Sequence, residues 1–401
     1  MPSRAYITGL GIISAVGLEV NEVVASLKAQ KTGISKFSLI DSVYQDEIPV
    51  AEIKLTNEEL RDIAKPEIAG MHSRTAMLGL IAARQAVQQS CLGSSSLLKS
   101  GIISATTVGG MDKTEKFYKS FMADHDKGRL RDISGHDCGD STEKIADCLG
   151  IKGFLSTINT ACSSSANAIM LGARLIQQGK LDRVIAGGAD ALSLFTLNGF
   201  NSLMILDRLQ CRPFDENRNG LNLGEGAAFL VLESEQIVEK EGKEVLCELK
   251  GFGNACDAYH QTASSPEGQG AYLAMQKALE TAMLSAGDIS YINAHGTGTK
   301  NNDLSEGVAI ERVYTSNVPP CSSTKSYTGH TLGAAGAIEA VLSVLAIRNQ
   351  CIYPNLNFID QMHELHFEPV QNYTTGVAIV NIMSNSFGFA GNNSSLIFSK
   401  Y

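Results

Sequence analysis

One thiol and two imidazoles stand at positions where side chains do chemistry. Cys162 lies in Ile158-Asn-Thr-Ala-Cys-Ser-Ser-Ser-Ala166. The run 154–158 before it reads as a strand, and 164–178 after it as a buried helix rich in small residues. A thiol at such an elbow faces unpaired helix N–H groups. Their partial positive charge favours thiolate and lowers the thiol pKa, and the same groups can hold an oxyanion. A buried cysteine flanked by serine caps is the plainer alternative, and the elbow alone does not decide between them.

His295 closes a second strand-like run, 289–294, in Asn293-Ala-His-Gly-Thr-Gly-Thr299. Loops at the carboxyl ends of strands are where α/β proteins place reactive groups. A turn histidine bonded locally explains the same pattern. His330 ends Ser322-Ser-Thr-Lys-Ser-Tyr-Thr-Gly-His330, ahead of a helical run at 332–348. Near a helix N-terminus the dipole disfavours imidazolium, so a neutral ring could donate to a carbonyl oxygen. Lys325 and Glu339 are both charged residues in otherwise uncharged stretches. Buried charges are normally paired, so the two read as a structural pair or as a pair that organises a site. A Gly-rich loop with two phenylalanines, 385–393, could form a lid over an apolar pocket.

One Cys and two His point to thiol-acyl chemistry. A metal site competes poorly, because the three motifs lack ligand spacing and a fourth ligand. A Cys–His hydrolase would need an orienting Asn or Asp and access for water, neither of which is legible.

The elements that must carry these residues alternate. Strand-like runs occur at 5–13, 101–106, 183–187, 227–232, 245–252, 289–294 and 377–382. Helical patterns occupy 73–91, 164–178, 271–286 and 332–348. Such alternation predicts an α/β architecture. The halves echo each other: 5–15 resembles 245–256, and 158–172 resembles 322–336. A duplicated fold follows, with a seam near 235–245 and halves at 1–240 and 241–401. The charged stretch 233–243 reads as a solvated connecting helix. The two small-residue helices, apolar nearly all round, belong inside a five-layer sandwich in which buried helices separate two sheets. The Ser run at 94–96 is too short for a linker.

Composition narrows the classes. The chain has 401 residues, 33 Lys plus Arg against 42 Asp plus Glu, and a net charge of −9. That acidity argues against general nucleic-acid affinity. The 44% hydrophobic and 19% charged fractions fit a globular protein. No apolar run reaches the ~18–20 residues of a membrane span. The amino terminus has no secretory pattern, which predicts a cytoplasmic protein. Nine scattered cysteines with no C-x-x-C pair read as reduced thiols.

Six ordered motifs carry a family likeness: TACSSS around Cys162, AGGAD at 186–190, RPFDENRNGLNLGEGAA at 212–228, NAHGTGT around His295, SSTKSYTGH through His330, and NSFGF at 385–389. Over nearly its whole length the chain resembles a β-ketoacyl-acyl carrier protein synthase of the thiolase-like superfamily, ketoacyl synthase I/II type. The resemblance implies a duplicated αβαβα thiolase sandwich, usually a homodimer, with a heterodimer bearing a chain-length partner as the variant. It implies that Cys162 accepts an acyl chain from a carrier-protein thioester. The Cys162 and Phe389 N–H groups would form the oxyanion hole. His295 and His330 would promote decarboxylation of a malonyl thioester. Lys325 and Glu339 would order the site, with Asp303 and Glu306 as supporting acids. Val108 and Phe389 would bound the acyl pocket. No metal or organic cofactor is implied.

An acyl carrier protein is acidic, so docking needs a local basic patch, for which Lys127, Arg129, Arg131 and Arg208 are candidates alongside an ordinary surface role. Two rivals share the fold. A non-catalytic chain-length partner normally lacks the nucleophilic Cys, which is present here. A thiolase would use a second Cys in the last loop, and 384–395 has none. The final loop departs from the pattern: it reads GFAGNN where GFGGTN is usual, and Ala390 should narrow its conformations. Asn302 stands where a Gly commonly precedes the acid, and 201–212 is several residues shorter than usual. Together these point to a specialised pathway, such as type II polyketide or aryl polyene synthesis.

Overall fold

A computed structural model describes residues 3–66, 73–92, 99–315 and 317–401. The Ser run at 94–96 lies outside them. Its strands are β1 (Ala5–Ser14), β2 (Ser100–Ala105), β3 (Phe154–Ile158), β4 (Arg183–Asp190), β5 (Gly226–Ser234), β6 (Cys247–Cys256), β7 (Tyr291–Asn293), β8 (Cys321–Ser322), β9 (Cys351–Ile352), β10 (Thr374–Thr375), β11 (Asn381–Phe387) and β12 (Asn392–Ser399). Strands β9 and β10 form a separate two-stranded sheet, and the other ten run β3-β2-β4-β5-β1-β6-β12-β11-β7-β8.

That order is a palindrome of connectivity. From each outer edge inward the pairings are parallel, parallel, antiparallel, antiparallel. The halves meet where β1 pairs β6 at Tyr6↔Glu248 and Ile7↔Cys247. The two sheets the sequence predicts are present, five strands from each half, and are stitched edge to edge by the two strands whose likeness to each other marks the duplication.

Alternating side chains separate the layers, as the period of a strand requires. In β5, Leu230 and Leu232 face the central layer, while Phe229 and Val231 face the helices Arg74–Gln89 and Cys138–Leu149 outside. In β12, Leu396 and Phe398 face the centre, while Ile397 faces the outer helices Gln269–Ala282 and Lys300–Tyr314. The centre holds the helices Ser164–Gln177 and Ala335–Asn349. Small residues let them touch: a Cβ on Gly336 would lie 2.9 Å from the Ala166 nitrogen.

Several expectations shift. The segment 332–349 is long and apolar enough to cross a bilayer, with a mean hydropathy of 1.4, contrary to the reading that no run qualifies. Its window is 89% buried inside the fold, so its apolarity is explained by its place in the central layer. The last predicted strand is misplaced: 377–380 is irregular and β11 starts at Asn381. The charged stretch 233–243 is only partly a solvated helix. Glu233 is fully buried at the end of β5, where it accepts from Arg183 Nε at 2.6 Å.

Candidate active site

Cys162 lies two residues before the first helical residue, Ser164. The turn is built on Ala161 at φ +54°, a left-handed conformation costly for alanine and compatible with a strained functional elbow. Ser164 Oγ accepts from Thr160 N at 2.8 Å, closing the turn from inside.

His295 follows β7, and its loop is braced by two carboxylates one turn apart on the helix Lys300–Tyr314. Glu306 accepts from the backbone N–H groups of His295 and Gly296, each at 2.8 Å, and from Asn385 Nδ2 at 3.1 Å. Asp303 accepts from Thr297 N at 2.9 Å and Phe214 N at 2.8 Å. Both acids are fully buried. Burial raises the Asp303 pKa and pushes Glu306 up to about 7, against the pull of these donors.

Lys325 is buried and spends its three protons on three acceptors. They are His295 Nδ1 at 3.1 Å, His295 O at 2.6 Å, and Glu339 Oε1 in a very close ion pair. Burial pushes Glu339 up to about 7, with the Lys325 ammonium pulling it back toward the anion. The pair is therefore both structural and part of the site, because the same ammonium sets a histidine tautomer. With Nδ1 of His295 accepting, its proton sits on Nε2.

His330 reaches the same state by another route. Leu332 N donates to His330 Nδ1 at 3.1 Å, so Nε2 carries the proton and points at Cys162 Sγ, 3.1 Å away. Leu332 itself is left-handed at φ +52°, held by Asp190 through the adjacent Gly333 N at 2.7 Å. Burial first, then the nearby Lys325, holds both imidazoles well below the usual histidine range. Both rings are neutral donors at neutral pH. The ring centroids are 5.4 Å apart.

The thiol departs from expectation. Burial pushes Cys162 up to about 11, outweighing Lys325 and the N–H groups of Phe389 and Cys162 that pull it down. A helix end lowers a thiol pKa, but the same position buries Cys162, and desolvation is the larger effect. At neutral pH Cys162 rests as a thiol.

A cavity of about 370 Å³ opens on Cys162, His295 and His330. Phe200, Leu203, Met204, Ile205, Leu221, Phe387 and Phe389 make an apolar wall, and Thr297, Thr299, Lys300, Asn301 and Asn302 a polar one. Phe389 stacks on Phe200 with centroids 5.8 Å apart and planes 18° apart. Ala390 does adopt the left-handed conformation, φ +61°, and its N–H donates to Gln261 O at 2.7 Å. Val108 is buried in a neighbouring apolar cluster with Leu197, Leu206, Leu221 and Leu332, and is not on the cavity wall. Lys127, Arg129, Arg131 and Arg208 are exposed. Lys127 pairs with Asp124, Arg131 with Asp132 and Arg208 with Glu47.

Cys162, His295 and His330 offer donor atoms within 4.8 Å of one another, a spacing a metal ion could span. An ion there would take the thiol and both imidazole donors out of use.

Sequence reasoning missed Phe200, Met204, Asp190 and Asn392. Asp190 had a signal, a lone charge ending the apolar run of β4. It is fully buried and also accepts from Thr107 N and Oγ1.

Comparisons with known proteins agree with this geometry. The chain matches the family model for the β-ketoacyl synthase N-terminal domain over residues 3–237, and that for the C-terminal domain over 246–359. It is 33% identical to 3-oxoacyl-[acyl-carrier-protein] synthase 2 of Staphylococcus aureus (strain COL), covering 99% of this chain and 98% of that one. The ishigamide ketosynthase/chain length factor superposes with a TM-score of 0.94 at 30% identity, over 100% of both chains. A type II polyketide ketosynthase bound to the hexaketide, in complex with its acyl-carrier protein, gives 0.91 at 25% identity, again over 100% of both. The chain belongs to the β-ketoacyl synthase family and is of the ketoacyl synthase I/II type. Its reaction is ketoacyl-acyl carrier protein condensation, in fatty acid or polyketide biosynthesis.

Proposed function

We propose that Cys162 takes an acyl group from a carrier thioester and that His295 and His330 then drive decarboxylation of malonyl-acyl carrier protein. The observation that supports this most is the tautomer arrangement. Lys325 occupies Nδ1 of one ring and Leu332 N occupies Nδ1 of the other, leaving both Nε2–H groups as donors.

The steps balance. Cys162 sulfur bonds the acyl carbon, the carrier sulfur leaves, and the thiol proton goes with it. His330 already carries a proton on Nε2, so it serves as a donor and not as the base. The N–H groups of Cys162 and Phe389 receive the oxyanion. In the second half, the bond to CO₂ breaks and its electrons form an enolate. The two imidazoles hydrogen-bond the thioester oxygen where that charge develops. The enolate carbon bonds the acyl carbon, the Cys162–acyl bond breaks with its electrons on sulfur, and the thiolate takes up one proton from solvent to return the resting thiol. Side-by-side placement removes much of the entropic barrier, and the Phe389–Phe200 stack limits water that would hydrolyse the acyl-enzyme.

Lys325, Glu339, Asp303 and Glu306 act by holding the histidine loop. Val108, one shell behind the wall, would bear on chain length through Leu221. The halves 1–240 and 241–401 supply nucleophile and donors respectively. Lys127, Arg129, Arg131 and Arg208 are our candidates for carrier docking, in a cytoplasmic enzyme. The ketosynthase/chain length factor relative favours a heterodimer over a homodimer. The Ala390 and Asn302 departures fit a polyketide or aryl polyene pathway.

Intact-mass spectrometry with an acyl-carrier protein donor tests the reading. Wild type should gain one acyl mass and Cys162→Ala none. An adduct that survives the substitution would refute it.

A further inference from the structure

The two N–H groups assigned to the oxyanion come from opposite halves of the duplication. Cys162 sits on the elbow after β3, and Phe389 on the turn between β11 and β12. A hole made of two separately mounted donors works only if their spacing is held to a fraction of an ångström.

One residue bonds to the neighbours of both. Asn392 Oδ1 accepts at 2.8 Å from Ser163 Oγ, whose one proton it shares with Thr160 O at 2.8 Å, and Ser163 is the residue after Cys162. The Asn392 main-chain carbonyl accepts from Gly388 N at 2.9 Å, and Gly388 is the residue before Phe389. The same Oδ1 also receives Asn167 Nδ2 at 2.9 Å and Asn254 Nδ2 at 3.0 Å. Asn167 belongs to the first turn of the nucleophile helix and Asn254 to β6, so both halves converge on one oxygen. Two of these donors are amide NH₂ groups, which cannot accept, so Asn392 turns Oδ1 and not Nδ2 toward them. Asn167 Oδ1 closes the circuit by accepting from Asn254 Nδ2 at 3.0 Å and Ser394 Oγ at 2.8 Å.

The two turns are also in direct contact. A Cβ on Gly388 would lie 2.9 Å from Thr160 O and 3.3 Å from Cys162 N. Nothing separates the backbones that present the two donors, so a movement of one is felt by the other. A threonine, usual at this place in the loop, is one bond shorter and could not reach the same partners unchanged.

We propose that Asn392 is a positioning residue for the condensation, a clamp that fixes the spacing of the Cys162 and Phe389 N–H groups. This rests on the oxyanion-hole reading above. The role differs from structural support in one respect. It matters for attack on a carbonyl, where an oxyanion forms, and not for attack on a saturated carbon, where none does.

The test compares two reactions of the same thiol in the full chain. Acylation by hexanoyl-pantetheine and alkylation by iodoacetamide are both followed by intact mass. In Asn392→Ala the maximal acylation rate should fall about 10- to 100-fold, with KM and the alkylation rate within about twofold of wild type. Ser163→Ala should reproduce that selective loss, and the double variant should be no slower than the slower single one. Unchanged acylation, equal loss of acylation and alkylation, or additive losses would each overturn the clamp. A wild type that alkylates at Cys162 yet takes no hexanoyl group would overturn the oxyanion reading and the clamp with it.

Discussion

The elbow after β3 and the loop after β8 occupy equivalent places in the two halves, yet their sequences do opposite things. The first turns through Ser163, Ser164 and Ser165 into its helix and carries no charge. The second packs a lysine, a histidine and, from its helix, a glutamate into one buried network. Burial acts on both alike, by favouring the neutral form. It pushes the thiol up to about 11 and holds both imidazoles down. For the histidines this is the working state, since a neutral ring donates without competing for a proton. On the proposed mechanism this is an obstacle for the cysteine, which the helix end and the oxyanion donors would have to offset during attack. On that reading the duplication yielded two elbows, one for a nucleophile and one for hydrogen-bond donors.

The sharpest way to break that contrast is to remove the ammonium from the second loop. Lys325→Met leaves Glu339 buried without a cation, which should cost about 3–5 kcal/mol of stability. Adding Glu339→Gln should restore much of that stability in denaturant melts but not condensation. Recovery of activity would show that the pair does not set the His295 tautomer.

A pH series sharpens the comparison next. Both imidazoles titrate well below 6.5 in the folded state, so they should add no inflection to decarboxylation from pH 6 to 8, where Glu306 and Glu339, raised to about 7, titrate. An inflection near 6.5 that survives both Glu306→Gln and Glu339→Gln would contradict neutral donors. For stability the signs oppose. Each histidine, with its folded pKa lowered, contributes stability above the unfolded value of about 6.5 that is lost as pH falls through the window below it. Glu306 and Glu339, raised to about 7, contribute stability below about 4.5 that is lost as pH rises toward 7. Between pH 5 and 6.5 these slopes offset. Glu306→Gln should make stability rise more steeply with pH there.

The smallest effect belongs to the wall of the cavity. Phe200→Ala removes the stack on Phe389, worth about 0.5–1.5 kcal/mol beyond area. It should raise KM for the acyl donor several-fold and increase hydrolysis of the acyl-enzyme, read as free acid. No change in either would remove the stack from the account.

What could be read without the structure follows the same contrast. Cys162, His295, His330 and Lys325 are legible because each ends a strand or starts a helix in an out-of-place chemical setting. Glu339 shows itself as an acid in an apolar helix, and the layers follow from the central helices' lack of a polar stripe. Phe389 came only through family likeness, since a phenylalanine in a Gly-rich loop has many explanations. Asn392, Asn167 and Asn254 were illegible because their meaning lies in bonds across 225 and 138 positions of the chain. The thiol pKa was misjudged because a helix end is visible in sequence, whereas the depth at which it is buried is not. The start of β11 was misplaced because the apolar run 377–382 continues irregular backbone into the strand.

The central claim, that one elbow accepts the acyl group while the other drives decarboxylation, is tested by running both partial reactions on two variants. Acyl adduct is read by intact mass, and CO₂ release from malonyl-acyl carrier protein is measured without an acyl donor. Cys162→Ala should lose the adduct and keep decarboxylation. His330→Ala should keep the adduct and lose decarboxylation by about 10²- to 10³-fold. Loss of both reactions in both variants would mean that the two halves form one indivisible catalytic unit, and would contradict the division drawn from their geometry.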